Sequence, residues 1–458
     1  MGHNFIPCDR DQSYLMPPSL RDWLPEDHLA WFVLDAVGQM DLSAFYSKYR
    51  ADGWGAAAFE PAMMVSLLLY AYCAGERSSR AIERHCEIDV AFRVVAANRR
   101  PDHATIARFR RKNLAELEGL FVETLRLCAE AGLVKVGLVA LDGTRIKANA
   151  AFAANRTHEG LAKEVEAEVK KMLAEAESTD TEEDRRYGSK RGDEMPDGLR
   201  TRKTRLERLR ECKARLEREG AERAAEQQKK IDERARREAE TGEKIGGRRP
   251  NEPDDAPDPK ARANPTDPES RIMKTAKGYL QGYNAQAAVT EGQVIVAADV
   301  TQDASDYAEL APMLAKTAEN LEAAGVEEEV KVAVADAGYF SEANVESAAP
   351  EGPELLIATT KDRERRRALQ ELPPPRGRIP KGLSERERME RKLRTKRGRE
   401  LYKKRSRTVE PVFGQVKGAR RCDSFLLRGL DGAEGEWKLI CGTHNLLKLW
   451  RSGKTSWN

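Results

Sequence analysis

The chain has 458 residues and a formal net charge of +3, a length that predicts two or three domains. Its seven cysteines are odd in number and include no CxxC pair, which argues against a disulfide framework and a zinc ribbon and is typical of reduced, mostly buried thiols. It has no apolar run long enough to cross a membrane and no signal-peptide pattern at its start, so we expect a cytoplasmic protein without a membrane partner.

The apolar periodicity and the helix-start signals in residues 1–133 predict a helical region. Pro61 suits the first turn of a strongly apolar helix, and residues 78–82 begin another. Asp102 caps a third helix, and we expect His103 after it to make only a local hydrogen bond. Two short helices before a basic one favour a helix-turn-helix-like module that could lie on DNA, and a plain bundle with a solvated basic face is the alternative. The residues expected on the exposed basic face are Arg108, Arg110, Arg111 and Lys112.

A change to strand patterns follows. Residues 135–141 predict the first strand, and Asp142 closes its apolar run. An Asp followed by Gly is often a turn residue, because its side chain caps local backbone groups. A carboxylate at the end of a buried strand is also a suitable metal ligand, so both readings stay open for Asp142.

Residues 151–274 read as an insertion of two antiparallel helices. Two polar tracts, 178–198 and 246–259, are too polar and too rich in proline to pack, and we expect them to be mobile. A role in gripping DNA or pairing subunits and a role as a solvated spacer are equally open. Apolar residues at helical spacing define the first helix (Leu161, Val165, Val169, Met172, Leu173) and the second (Leu199, Leu206, Leu209, Leu216).

The remaining pattern predicts strands at 282–290, 293–300, 330–335 and 354–359, with a helix at 306–321 and further helices around Glu410 and at 435–450. Asp336 ends the fourth strand just before a helix, where open α/β sheets tend to bind ligands. Asn284 and Gln286, in the second strand, are weaker site candidates for which an ordinary strand role is favoured.

Positive charge is concentrated near the end of the chain. Residues 361–428 contain 24 Lys and Arg against 9 Asp and Glu, as expected where a nucleic-acid backbone is neutralised. A solvated face explains residues 361–399 equally well. Glu410, however, lies among Arg405, Arg407 and Lys417. Two carboxylates at strand ends and a third on a helix suit hard divalent cations, so the pattern predicts a metal-dependent enzyme acting on phosphodiesters.

The chain resembles the DDE transposases of bacterial insertion sequences, a group with a Tyr-x2-Arg-x3-Glu-x6-Lys signature. The matching motifs are Leu141-Asp-Gly-Thr-Arg145, Ala335-Asp-Ala-Gly-Tyr339 and Val409-Glu-Pro-Val-Phe-Gly-Gln-Val-Lys417. The resemblance extends to residues 282–286 and to the stretch from Phe59-Glu-Pro through Arg110, and it leaves residues from about 151 to 274 unmatched.

The front half of the signature is displaced in this chain. Tyr402 and Arg405 have the internal spacing of the family, but Arg405 is one residue too far from Glu410. On a continuous helix Arg407 shares a face with Glu410 and position 405 is turned away, so Arg407 is the favoured catalytic cation and Arg405 the alternative.

The resemblance implies an α/β fold: a ribonuclease H-like mixed sheet flanked by helices, formed by residues 134–150 and 275–458. A helical, DNA-binding domain at 1–133 precedes it, and residues 151–274 form a charged helical insertion with a disordered linker. In that fold the first and fourth strands are neighbours, which would bring Asp142 and Asp336 together.

The resemblance also implies the chemistry. Asp142, Asp336 and Glu410 would bind two Mg²⁺ ions, or Mn²⁺ in their place, and Lys417 would hold a phosphate. Tyr402, Arg405 and Arg407 complete the catalytic candidates. The substrates would be double-stranded DNA, namely the terminal inverted repeats and the target, bound by a homodimer at the bacterial nucleoid. A nuclease that cuts without joining, and an inactive DNA-binding protein, are the alternatives.

Overall fold

The computed structural model describes residues 19–49, 57–171, 197–242, 249–275, 278–346, 352–377 and 382–455, together with residues 244, 246, 379, 380 and 457. The described residues form fifteen α-helices. They are α1 Leu29–Gly38, α2 Ser43–Tyr46, α3 Pro61–Cys73, α4 Ser79–Ile88, α5 Val90–Val95, α6 His103–Lys112, α7 Leu114–Glu130, α8 158–171, α9 Asp197–Thr241, α10 Leu310–Ala323, α11 Glu342–Glu346, α12 Arg363–Glu371, α13 Glu385–Arg394, α14 Lys396–Phe413 and α15 Leu430–Ser452.

The described strands are β1 Val139–Lys147, β2 Arg156–Thr157, β3 Arg262–Ala263, β4 Arg271–Thr275, β5 Gly278–Thr290, β6 Ile295–Thr301, β7 Val332–Ala335 and β8 Glu354–Ile357. Strands β2 and β3 form a separate pair, and the other six form a mixed sheet at the centre. The long β5 pairs antiparallel with β1 on one side and with β4 and β6 on the other, and β7 and β8 continue the sheet in parallel beyond β1. This arrangement confirms the predicted ribonuclease H-like fold, including first and fourth core strands that are neighbours.

The first strand differs from its prediction. It begins at Val139 rather than residue 135, and it continues through Asp142 as far as Lys147. The cause is its partner: β5 has 13 residues and pairs with β1 all the way from Thr290 to Gly282. Asp142 therefore lies inside a strand, and its reading as a turn residue is wrong.

The N-terminal helices begin as the sequence predicts. Pro61 is the first residue of α3, and the Asp102 side chain caps α6 by accepting from the Thr105 amide at 2.8 Å. His103 does not make the expected local hydrogen bond: its ring nitrogen lies 2.7 Å from a carboxylate oxygen of Glu83, which belongs to α4, so the contact joins two helices. Helix α3 is buried along most of its length because α1, α5 and α15 surround it.

Helix α15 joins these helices to the sheet in one continuous hydrophobic core. Glu436 of α15 forms a buried ion pair with Arg77, which follows α3, at 2.8 Å. The Trp437 indole is fully buried and donates to the Gln286 carbonyl oxygen at 2.8 Å, so it is a core residue. The proposed division at residue 133 therefore does not separate two cores. The six cysteines among the described residues are free and buried.

The insertion forms an antiparallel helical pair, α8 and α9. His158 lies 3.0 Å from Glu217 at one end, and Arg205 lies 3.7 Å from Glu168 towards the other. Met172, Leu173, the side chain of Leu199 and most of the tract 178–198 lie outside the described residues. Between the helices and β3 lies a small core of Leu161, Leu209, Cys212, Leu216 and Ala263.

The described part of the second polar tract packs along α9, contrary to expectation. Gln227 donates to the Asn251 carbonyl oxygen at 3.0 Å, and Gly220 lies against the backbone of Asp255 and Ala256. A hydrogen bond from a side chain to the backbone and a close approach at a glycine join this segment to α9, while residues 251–256 stay exposed.

Candidate active site

Asp142 and Asp336 come together at the end of the parallel β1–β7 ladder. The last paired residues are Leu141 and Ala335, and each Asp is the next residue of its strand or strand end. The ladder ends there because β7 stops at Ala335, whereas β1 continues against β5. The sheet thus brings together two carboxylates that are far apart in the sequence.

Arg405 of α14 reaches this pair. Its Nη2 atom donates to Asp142 Oδ2 at 2.7 Å, and both side chains are largely buried, with 15% and 18% exposed. Burial raises the pKa of Asp142 to about 6, against the effect of Arg405; the charges of Asp336 and Asp306 raise it further. Burial by itself lowers the pKa of Arg405. The pKa nevertheless lies above its ordinary value, because the guanidinium is attracted by the negative charges of its acidic neighbours and of Tyr402 (Asp142, Tyr402, Asp336 and Glu410).

The expected preference for Arg407 over Arg405 is wrong in its geometry. Helix α14 is continuous from Lys396 to Phe413, but Arg407 is exposed and Arg405 turns to the sheet. The reason is that α14 buries the face containing Thr408 and Val409. Glu410 lies on the exposed face, so a residue that shares a face with Glu410 is not thereby close to the two aspartates.

Glu410 is exposed on the same helix and contributes to the negative charge felt by Arg405. Among the described residues, no three His, Cys, Asp or Glu side chains are placed to hold one metal ion. The oxygen ligands available beside β1 nevertheless suit a hard divalent cation: the carboxylates of Asp142 and Asp336, and the buried Asn284 Oδ1, which has no hydrogen-bond partner in the described part of the chain.

Lys417 lies in the π-helical turn Gly414–Ala419 that follows α14. Its Nζ atom donates to Thr144 Oγ1 at 2.9 Å and to the Arg145 carbonyl oxygen at 2.8 Å. Burial lowers its pKa. The signature lysine is therefore held against β1, two to three residues beyond Asp142.

Tyr402, one turn before Arg405, is half-buried. Burial raises the pKa of its hydroxyl, Arg405 lowers it, and Asp336 raises it further. Tyr402 also lines a cavity of about 300 Å³ beyond the end of β8, which Arg366, Arg399 and Lys403 border. Arg405 thus contacts Asp142, and Tyr402 lies near enough for the charges of both aspartates to raise its pKa, although the spacing of Tyr402 and Arg405 to Glu410 departs from the signature.

A buried carboxylate beside the site, Asp306, was not among the sequence candidates. The sequence placed it only at the start of a helix, whereas it lies before the 3-10 turn Tyr307–Glu309 and is 7% exposed. It accepts hydrogen bonds from Asn284 at 2.7 Å and Gln286 at 2.9 Å. The sequence did contain one signal for this network: the amide side chains of Asn284 and Gln286 occupy alternate positions of β5 and therefore face the same side of the sheet.

The basic helix α6 exposes only part of its predicted face. Arg108, Arg111 and Lys112 are exposed, but Arg110 is 7% exposed. Its guanidinium donates to the Arg77 carbonyl oxygen at 3.0 Å and to the Tyr72 hydroxyl at 3.2 Å. The assignment of Arg110 to the DNA-binding surface is therefore wrong, since its backbone position turns the side chain into the helical core.

Two family matches cover both ends of the chain. Residues 18–112 match a transposase domain described as DUF772, and residues 255–446 match a transposase DDE domain. The chain belongs to the DDE transposases of insertion-sequence type. The DDE match includes Asp336, Glu410 and Lys417, while Asp142 lies before it and joins the site through the sheet.

Transposases act on DNA, and this family normally uses divalent metal ions. Neither a curated protein nor a solved structure matches the chain. No described helix is both long enough and apolar enough to span a membrane.

Proposed function

We propose that this transposase cuts DNA at the ends of an insertion sequence and joins those ends to target DNA, with divalent metal ions held by Asp142, Asp336 and Glu410. The observation that carries the proposal is the pair of carboxylates at the end of the β1–β7 ladder, with Arg405 bonded to one of them at 2.7 Å. A pair of partly buried carboxylates next to a guanidinium suits a site that binds both metal and phosphate.

In this proposal Asp142 and Asp336 would hold the metal from the sheet, and Glu410 would supply the third carboxylate from α14. A bound divalent ion would activate the attacking oxygen and stabilise the leaving oxygen in displacement at phosphorus. Arg405 can donate either to Asp142 or to a DNA phosphate, because a guanidinium binds carboxylates and phosphates in the same way. Lys417 holds a further positive charge beside β1.

Most of the DNA would be bound by positively charged surfaces outside the pair of aspartates. Arg108, Arg111 and Lys112 present exposed positive charge on α6, and residues 361–428 carry a large excess of Lys and Arg. Phosphate contacts of this kind supply affinity that depends on salt. We propose residues 1–133 as the principal end-binding region, residues 134–150 and 275–458 as the catalytic region, and a homodimer as the active assembly.

The test uses a linear duplex that contains the DNA flanking both sides of the coding region, with a supercoiled plasmid as target. Asp142→Ala, Asp336→Ala and Glu410→Ala should each abolish Mg²⁺-dependent cleavage while binding to the duplex persists in EDTA. Glu400→Ala is the matched control, because Glu400 is an exposed carboxylate on the same helix. Retained cleavage in any of the first three variants removes that residue from the site.

Strand transfer distinguishes the two catalytic functions. Wild-type protein should join the cut 3′ ends to the plasmid, which is read as linear or nicked plasmid covalently attached to labelled duplex. Cleavage without such joints supports the ribonuclease H-like nuclease instead. DNA binding without any cleavage, with Mg²⁺ or Mn²⁺, supports the inactive DNA-binding protein.

A further inference from the structure

Asp306 lies at the centre of a buried polar network beside the paired aspartates. Its Oδ1 accepts from Asn284 Nδ2 at 2.7 Å and from Gln286 Nε2 at 2.9 Å. Arg145 of β1 approaches the same carboxylate, with Nη1 at 3.3 Å from Oδ1 and 3.5 Å from Oδ2. The donors belong to the two antiparallel strands at the centre of the sheet, so this carboxylate joins β1, β5 and the loop after β6.

Two glycines show how close Asp306 lies to the acidic pair. A Cβ atom on Gly338 would lie 2.8 Å from Asp336 Oδ1 and 2.9 Å from Asp306 Oδ2, so both carboxylates border the same small volume. A Cβ on Gly143, next to Asp142, would lie 2.6 Å from Asp306 Oδ1. Only glycine leaves these approaches open.

The network also reaches the loop that holds Asp336. The Tyr339 hydroxyl, three residues after Asp336, donates to Gln286 Oε1, while the amide nitrogen of the same Gln286 donates to Asp306. Tyr339 is fully buried, and burial raises its pKa well above the usual value, with further increases from Asp306, Asp142 and Asp336. The loop after β7 is thus tied to β5 through a single amide.

One atom of the network is unsatisfied. Asn284 is fully buried and its Oδ1 has no hydrogen-bond partner among the described residues, while a Cβ on Gly143 would lie 2.8 Å from it. A buried acceptor without a donor is unusual and often marks the position of a water molecule or an ion. It lies on the Asp142 side of the network.

We propose that Asp306 is a positioning residue for the metal site, holding β1 and the Asp336 loop in register through Arg145, Gln286 and Tyr339. The inference rests on the proposed function. Asp306 is not itself assigned as a ligand, because both of its oxygens face protein donors. Residues that orient metal ligands typically contribute about 10–100-fold to metal affinity or activity.

The test measures metal binding directly. Mn²⁺ is titrated into wild-type protein and variants, and the free ion is followed by its electron paramagnetic resonance signal. Asp306→Asn keeps the size of the side chain but places an amide opposite Arg145, and we expect Mn²⁺ binding to weaken by about 10-fold or more. Asp303→Asn, an exposed carboxylate in the same loop, is the control and should bind Mn²⁺ like the wild type.

Tyr339→Phe is the second variant, because it removes only the hydroxyl that bonds Gln286. It should weaken Mn²⁺ binding in the same direction and raise the Mg²⁺ concentration for half-maximal cleavage, while binding to the flanking duplex in EDTA stays unchanged. A purely structural role would alter the melting temperature without this selective shift in metal dependence.

The outcomes are distinguishable. Wild-type Mn²⁺ affinity in a folded Asp306→Asn protein overturns the inference and leaves the proposed function intact. If Asp306→Asn does not fold, wild-type affinity in Tyr339→Phe overturns the inference in the same way. Wild-type protein that binds no Mn²⁺ and cuts no DNA contradicts the proposed function itself.

Discussion

Replacing Asp142 with Asn should stabilise the metal-free protein at neutral pH and have little effect near pH 4. Burial raises the pKa of Asp142 to about 6 from an ordinary value of 3.8, although Arg405 opposes the increase. Between these two pH values the folded state binds more protons than the unfolded state, so the free energy of unfolding falls as the pH rises. The destabilisation caused by burying the Asp142 charge is therefore complete above the pKa of the folded state, and it is absent below the pKa of the unfolded state.

The magnitude follows from the size of the shift. A difference of about two pKa units corresponds to about 3 kcal/mol at 1.36 kcal/mol per unit. The side chain is only 18% exposed, so solvent screening removes little of this. Asparagine has no charge to bury, but it has a single acceptor oxygen, so it can accept from Arg405 or from the Gly143 amide and not from both, as Asp142 does through its two oxygens.

The assay compares thermal unfolding of the wild type and Asp142→Asn in EDTA at intervals between pH 4 and 8. The stability difference should grow through the window from about 4 to 6 and then level off. Asp303→Asn, with an exposed carboxylate, should show no such growth. Mg²⁺ should then stabilise the wild type more than the variant. A stability difference that is constant across the whole pH range would refute the reasoning.

Arg405→Ala should reduce cleavage more than Arg407→Ala, because only Arg405 contacts Asp142; the reverse order in a side-by-side cleavage assay would contradict this geometry. Arg111→Ala should weaken binding to the flanking duplex and lower the salt slope by roughly one unit, measured by titration at several salt concentrations; an unchanged slope would exclude a phosphate contact. Arg110→Ala should instead destabilise the fold by about 2 kcal/mol in denaturant unfolding, since it leaves buried acceptors unpaired. Gly143→Ala should abolish cleavage in the cleavage assay, because its Cβ would lie 2.6 Å from Asp306 Oδ1; wild-type activity would show that the network tolerates a Cβ at this position.

The sequence alone determined the order of the core elements and most of their positions. Apolar runs ending in Asp142 and Asp336, and a helix cap at Asp102, are local signals, so a single sequence can contain them. The prediction that the first and fourth core strands are adjacent in the sheet is confirmed by the pairing of β1 with β7. The sequence could not set the end of β1, because that end depends on how far β5 extends beside it.

Only the tertiary structure decided which side chains meet. Periodicity relative to Glu410 favoured Arg407, but the face that α14 buries against the sheet turns Arg405 to Asp142. Packing against neighbouring helices likewise took Arg110 out of the basic surface. Asp306 gave no recognisable local pattern, since its partners come from β1 and β5, far away in the chain. Local sequence encodes periodicity and caps, whereas the direction of a side chain in a site depends on burial against elements that only the fold brings near.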